Sequence, residues 1–422
     1  MSSGFSLCLD VLERINRWGR APGGGYSRLA YTDDDCRGRE AAITLMEEHG
    51  MAVETDELGN IRATRWGSHP HRPPVVIGSH LDTVPSGGGY DGTLGVAAGV
   101  GAVVDVASRC SDHTHPLQVM VFSGEESSRF GVSNIGSKMA TGFMKLGDLF
   151  RYRDEAGISL FRAMRDFGLS PEWHSRVRIL PTEMKAFFEL HIEQGPVLDR
   201  SEIDVGVVEA IAAPTRLLLD VQGEAGHSGA CPMEDRRDAL SASAELVLEV
   251  ERLGLEEATH RTVATVGDCE VTPGVMNVIP GRCGLKVDIR GIDRQSIDRV
   301  RDGLLDYIQS LEKRRAVRIY VEELSRGVPV ILDGGLRSLL GRVCDDLRIP
   351  WKSMPSGAGH DAMYVASVIP TAMIFVPCVG GVSHSSLERI DVGRIRSGYM
   401  ALVEAVYRLV SRERYLDKEE KS

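Results

Sequence analysis

Long apolar runs are missing from this 422-residue chain. No stretch approaches the roughly 18–20 apolar residues that a membrane-crossing helix needs, so no membrane partner is expected. The N-terminus has neither the basic start nor the apolar stretch of a secretory leader, and a cytoplasmic protein is expected. CxxC pairs are absent, and the eight cysteines (8, 36, 110, 231, 269, 283, 344 and 378) lie far apart. That spacing speaks against a disulfide framework and for reduced thiols in a reducing compartment. Basic blocks are scarce too, and the net charge is −11. Lys313-Arg314-Arg315 closes a predicted helix, where cations complement the helix dipole. Nucleic acid is therefore not expected as a partner.

The chain has what a folded globular protein needs: 42% hydrophobic and 26% charged residues. Its length exceeds the roughly 250–300 residues at which single cores stop growing, which favours two domains. Residues 36–50 read as an amphipathic helix closing at Gly50. Residues 75–81, 117–123 and 187–192 read as buried strands, with a small-residue helix from Leu94 to Ala107 between the first two. This alternation predicts an α/β fold, a central mixed sheet flanked by helices. Near residue 210 the texture changes. Strands at 216–222, 262–267, 283–290 and 317–322 alternate with helices at 236–254 and 294–315. The order β-α-β-β-α-β predicts an inserted ferredoxin-like α+β domain over 213–328. The catalytic domain is then 1–212 and 329–422, returning through a helix near 334–347, a strand at 371–376 and a helix near 392–410.

Residues with metal chemistry gather at strand ends and in the loops that follow, where open α/β sheets place their sites. His80 and Asp82 lie two apart and face one way. Asp91 follows a glycine-rich loop able to fold back toward His80. Glu125 and Glu126 are adjacent carboxylates whose repulsion cations would offset, one ligating while the other serves as base. His191 sits in an apolar strand and His384 in a polar loop. Each signal is ambiguous by itself. Together His80, Asp91, Glu126, His191 and His384, with a spare glutamate, fit two cations sharing a bridging carboxylate.

These motifs resemble the M20-type metallohydrolases, specifically the hydantoinase/carbamoylase amidase branch with its N-carbamoyl-L-amino-acid hydrolases and allantoate amidohydrolases. The likeness runs from about residue 10 to 410. It rests on GSHLDTVPSGGGYDGTLGV (78–96), GEESSRFGVSNIGSK (124–138), ELHIEQGPVL (189–198), GHSGACPM (226–233), NVIPGR (277–282), SGAGHD (356–361) and GVSHSS (381–386). The resemblance implies two divalent metal ions per subunit, zinc first, with manganese, cobalt or nickel as alternatives. His80 and His191 would each hold one metal, along with Glu126 and His384, and Asp91 would bridge. Glu125 would be the general base, and Asp82 the partner that orients His80. His227, Asn277, Arg290, Gln194 and the backbone of Ala358 and Gly359 would contact substrate, with His227 also steadying the developing oxyanion. The inserted domain would serve as lid and dimerisation domain of a homodimer. The expected reaction is hydrolysis of a C–N bond in a small carboxylate-bearing ureido compound, releasing ammonia and carbon dioxide. Rival readings are an amidase or aminoacylase with the same metals, and a non-catalytic binding protein on the same fold.

Several tempting residues are read as bystanders. His69, His71, His113 and His115 flank prolines in presumed solvated loops, and Asp33–Asp35 mark a helix start. Arg216 is expected at the surface, and His360 is expected to support the site from behind.

Overall fold

The computed structural model describes residues 2–411. They fall into two compact units: one holds the chain up to Glu209, Leu332–Met354 and the chain from His360; the other holds Ala210–Ile331 and Pro355–Gly359.

The first unit is built on a mixed sheet. Its strands run in the order Ala52–Thr55, Ile61–Arg65, Leu117–Phe122, Val75–His80, Ala186–Ile192, Thr371–Val376, Val205–Ile211, and Trp351–Ser356 pairs with the last of these. The Val75–His80 strand is parallel to Leu117–Phe122 and to Ala186–Ile192, and Ala186–Ile192 is parallel to Thr371–Val376. The flanking pairings are antiparallel. All four central strands are buried at every residue, which explains their near-continuous apolar sequences. The helix Thr93–Arg109 packs on them through small side chains. Gly101 lets it approach the N-terminal helix Ser3–Ile15 closely, since a Cβ there would lie 2.3 Å from the Gly4 carbonyl oxygen. The helix Asp33–Glu48 starts at its acid triplet, as read, and Thr32 caps it.

The second unit has a four-stranded antiparallel sheet ordered Arg318–Arg326, Ala213–Gln222, Arg282–Gly291, Val263–Thr272. Helices Ala239–Glu256 and Arg294–Arg315 cover one face, and Leu246, Val250, Val300 and Leu304 join the sheet's inward residues in the core. This is the β-α-β-β-α-β order with ferredoxin-like strand arrangement.

Several elements lie outside those expected: Ser3–Ile15, whose capping Ser2 and amphipathic spacing did signal a helix, and Val205–Ile211, Trp351–Ser356 and the hairpin of Ala52–Thr55 with Ile61–Arg65. One reading is overturned. His113 and His115 are buried, not solvated: their Nδ1 atoms meet the His115 and Pro73 carbonyls at 2.6 and 2.7 Å. Carbonyl partners let a polar ring be buried beside prolines.

Arg28 is wholly buried and ties three segments together. Its guanidinium donates to Leu81 O at 2.7 Å, Trp18 O at 3.0 Å and Thr93 Oγ1 at 3.0 Å. Burial pulls its pKa down to about 10, so it stays charged at neutral pH. Arg28→Met removes these donors and leaves buried carbonyls unpaired. A loss of about 3 kcal/mol or more is expected, read as a lower urea midpoint at unchanged m-value.

Candidate metal centre

Parallel pairing aligns the carboxyl ends of the central strands. His80 ends its strand opposite Phe122, and His191 lies opposite Phe375. Glu125 and Glu126 follow Phe122 within four residues, Asp91 comes from the loop before the Thr93–Arg109 helix, and His384 from the loop after Val376.

These side chains converge on one carboxylate. Asp91 Oδ1 lies 3.2 Å from His191 Nε2 and 3.4 Å from His80 Nε2. Asp91 Oδ2 lies 3.3 Å from His384 Nε2, which is 3.4 Å from Glu126 Oε1. Among the described residues three groups could hold a metal ion: His80, Asp91 and His191, and Asp91, Glu126 and His384, which share Asp91, and Glu189, His191 and His360 behind the first. The grouping corrects the expected one in a detail. His80 and His191 meet the same oxygen of Asp91, so they belong to one group and not to separate ones.

The donor chemistry fits cations. His80 Nδ1 faces the Asp82 carbonyl at 3.0 Å and His191 Nδ1 faces the Ile192 carbonyl at 2.9 Å. A carbonyl only accepts, so each Nδ1 carries a proton and Nε2 is the atom left to ligate a cation. The Gly92 N–H faces His191 Nε2 at 3.3 Å. A divalent ion bound there would take the place of the Nε2 protons that otherwise face Asp91.

Without a cation the rings themselves take up charge: burial opposes it, yet Glu125 raises the pKa of His80 and Asp91 that of His191. Burial opposes charge on Asp91, yet His191, His384 and His80 hold its carboxyl well below the usual range. Burial pushes Glu125 well above its ordinary value, reinforced by Glu126, Asp361 and Asp82. Glu126 is raised to about 8, by burial first and Asp91 next. Positive charge is what this cluster lacks.

Asp82 has a task beyond the one expected. Its backbone oxygen, not its carboxylate, meets His80 closely; the carboxylate stands 3.7 Å from Nδ1. Asp82 Oδ1 and Oδ2 instead accept the N–H groups of Glu125 and Glu126 at 3.1 and 2.9 Å, fixing the turn that bears both glutamates. Gly92 is needed beside His80: its φ is +62°, and a Cβ would lie 2.3 Å from the ring. Gln194 and His384 both adopt left-handed backbone, with φ of 59° and 53°. Gln194 Nε2 donates to Asp91 Oδ2 at 2.6 Å and lies 3.1 Å from His384 Nε2.

Two supporting carboxylates escaped the sequence reading. Glu388 Oε1 accepts the N–H groups of Tyr90 and Asp91 at 3.0 and 3.3 Å, and Ser383 Oγ reaches Glu388 and Asp91 at 3.2 Å each. Glu189 accepts from Ser79 Oγ at 2.9 Å and Ala362 N at 3.0 Å. The signal for Glu189 was present, an acid inside an apolar strand two residues before His191 and so on the same face. His360 packs edge-on against His191 with centroids 4.5 Å apart, and burial holds its pKa well below normal.

In the second unit, His227 pairs with Val278, and the Ser228 N–H donates to Asn277 O at 3.1 Å, bringing His227 and Asn277 side by side. Arg290 donates through Nε to Asp288 at 2.7 Å and through Nη1 to Gly357 O at 3.2 Å, beside Ala358 and Gly359. Arg216 is exposed and faces Asp288 at 3.4 Å.

Residues 76–408 match the family model described as Peptidase family M20/M25/M40. The chain belongs to this family. Across 406 residues this M20-family chain is 38% identical to a hydrolase of Haemophilus influenzae, covering 96% of the chain and 98% of the relative. It is 36% identical to an N-carbamoyl-L-amino acid amidohydrolase of Geobacillus stearothermophilus, covering 98% of the chain and 100% of the relative. A solved structure of an amidase of the hydantoinase/carbamoylase family from Burkholderia multivorans superposes with a TM-score of 0.88 at 32% identity, covering 96% of this chain and 98% of that one.

Sharing of Asp91 makes metal content diagnostic. Asp91→Ala should abolish binding of both ions, whereas His384→Ala should keep the ion of the His80–His191 group. Elemental analysis after dialysis against a weak chelator reads the stoichiometry. Equal retention in both variants contradicts a shared carboxylate.

Proposed function

We propose that this M20-family protein is a dinuclear metal-dependent amidohydrolase that cleaves a C–N bond in a small carboxylate-bearing ureido compound, an N-carbamoyl amino acid first among them. The reading is carried by the two ligand groups sharing Asp91 with the Glu125 carboxylate beside them, Oε2 lying 3.8 Å from His80 Nε2. Similarity to an N-carbamoyl-L-amino acid amidohydrolase over nearly the whole chain supports the substrate class. Zinc is the favoured metal, because imidazole and carboxylate donors suit it; manganese, cobalt and nickel accept the same set.

His80, Asp91 and His191 would hold one ion, and Asp91, Glu126 and His384 the other. Bound there, divalent cations would polarise the scissile carbonyl and make water more acidic. Glu125 takes the proton of the attacking water and returns it to the leaving nitrogen. The water oxygen bonds to the ureido carbon as the C–N bond breaks. That step yields the amine-bearing acid and carbamic acid, whose remaining C–N bond then breaks to give ammonia and carbon dioxide. His227 donates to the developing oxyanion, an electrostatic role worth about 3–4 kcal/mol of barrier where such donors have been removed. Asn277, Gln194 and the Ala358–Gly359 backbone orient the substrate. Arg290 takes its carboxylate with a planar fork that a lysine could not copy.

The protein acts as a homodimer through the second unit. In support, Val263–Thr272 is an edge strand there, and Leu240, Val247, Leu248 and Leu255 form an exposed apolar stripe along the neighbouring helix. A reducing compartment, the cytoplasm, suits eight free thiols of which five are buried.

The deciding assay follows ammonia and free amine together, using the metal-loaded protein and a panel of N-carbamoyl α- and β-amino acids, allantoate and N-acyl amino acids. Amine without ammonia would reassign it as an acylase. Glu125→Gln should retain both metals yet lower kcat by about 10²–10⁴-fold; near-normal turnover removes Glu125 from the base role. Arg290→Ala should raise KM for carboxylate substrates by about 10-fold or more and change neutral amides little. Equal losses on both would make Arg290 structural.

A further inference from the structure

Glu125 is gripped at three points by groups outside the ligand set. Its N–H donates to Asp82 Oδ1 at 3.1 Å. Its carbonyl accepts the Asn134 N–H at 2.8 Å, and the Ile135 and Gly136 N–H groups take the carbonyls of Gly124 and Ser123 at 2.9 and 2.8 Å. The first N–H groups of the Ile135–Thr141 helix, which have no partner within a helix, are thus satisfied by the segment that bears Glu125. The third grip is on the side chain: Asn134 Nδ2 donates to Glu125 Oε1 at 2.8 Å.

Asn134 is buried, and its amide lies between two carboxylates. The same Nδ2 is 3.4 Å from Asp361 Oδ1, which also accepts Ser137 Oγ at 2.5 Å. This fixes the sense of the amide. Turned over, it would set a carbonyl oxygen against both acids, so the nitrogen must face them. The backbone of Asn134 is left-handed, with φ of 57°, a conformation that asparagine tolerates better than most residues. Burial raises Asp361 to about 7, helped by Glu189. Among the described residues its Oδ2 has no hydrogen-bond partner, and Ser137 and Asn134 anchor this acid's side chain through Oδ1.

Building on Glu125 as the base, we propose that Asn134 is its positioning residue: the amide, backed by Asp361, pins Oε1 so that Oε2 alone faces the ligand cage. A carboxylate on a flexible stem otherwise rotates between equivalent faces. Pinning one oxygen keeps the other aligned with the water it must deprotonate. Among the described residues the Asn134 amide bonds to Glu125 and Asp361, so its effect on turnover is expected through Glu125.

Asn134→Gly keeps the left-handed backbone and deletes the amide. Asn134→Asp keeps the shape and replaces the donor with an acceptor. Metal-loaded enzyme of each should retain both ions, keep KM within about three-fold, and lose kcat by about 10–100-fold, the range typical of groups that orient reactive residues. In the Glu125→Gln background the same substitutions should cost under about three-fold further, since the positioned group is already disabled. A crystal structure of metal-loaded Asn134→Gly should show the Glu125 carboxylate displaced or in two orientations, with His80, Asp91, Glu126, His191 and His384 unmoved. Should the glycine variant fail to fold, Asn134→Asp carries the same expectations. Wild-type kcat in either variant, an equal loss with and without Glu125, or an unshifted Glu125 overturns the proposal. Wild-type protein inert toward every ureido and acyl substrate overturns the hydrolase reading instead, and the crystallographic arm still tests whether Asn134 holds Glu125.

Discussion

A buried carboxylate faced by three imidazole nitrogens sets the terms for its surroundings. Asp91 offers one oxygen to His80 and His191 and the other to His384. Glu126 reaches the second group from a neighbouring turn, and Glu125 stands beside the first. At about 4 Å, like unit charges repel by about 4 kcal/mol even at an effective dielectric near 20. Protein hydrogen bonds alone do not relieve a cluster of buried acids of that kind. Cations do, which makes metal binding and the integrity of this region one free-energy problem.

The scaffold answers with rigid delivery. Parallel strands present His80 and His191 from adjacent ends. Asp82 clamps the N–H groups of both glutamates, and Glu388 clamps the loop that carries Asp91. Arg28 ties the Leu81 carbonyl to Thr93, so the segments on either side of that loop hold fixed places. Left-handed backbone at Gln194 and His384 is stored strain of the sort found where side chains are aimed.

Much of this was legible in the sequence. The helices over 294–315 and 334–347 and the strand over 371–376 lie where residue periodicity put them, because caps and apolar spacing agree there. The candidate ligands drew notice because their residue types sit at strand ends or in the loops that follow. What escaped had physical reasons. Glu388 acts through backbone N–H groups nearly three hundred residues away, and no local pattern encodes such a contact. Asp82 does meet His80, through its carbonyl at 3.0 Å and its carboxylate at 3.7 Å, but its carboxylate's closer bonds to the Glu125 and Glu126 N–H groups were not legible, since i, i+2 spacing shows which face a side chain takes and not how far it turns. His113 and His115 looked like loop residues because they precede Pro116, but their partners are carbonyls that a sequence does not display.

The ligands also differ in their place along the chain. His80, Asp91, Glu126 and His191 belong to the first half of the chain, while His384 and its brace Glu388 come near the end, after the entire second unit. Asp91, Glu126 and His384 therefore come together only when the chain on both sides of the second unit has joined in one fold, and the strand that bears His191 gains its Thr371–Val376 neighbour at the same stage.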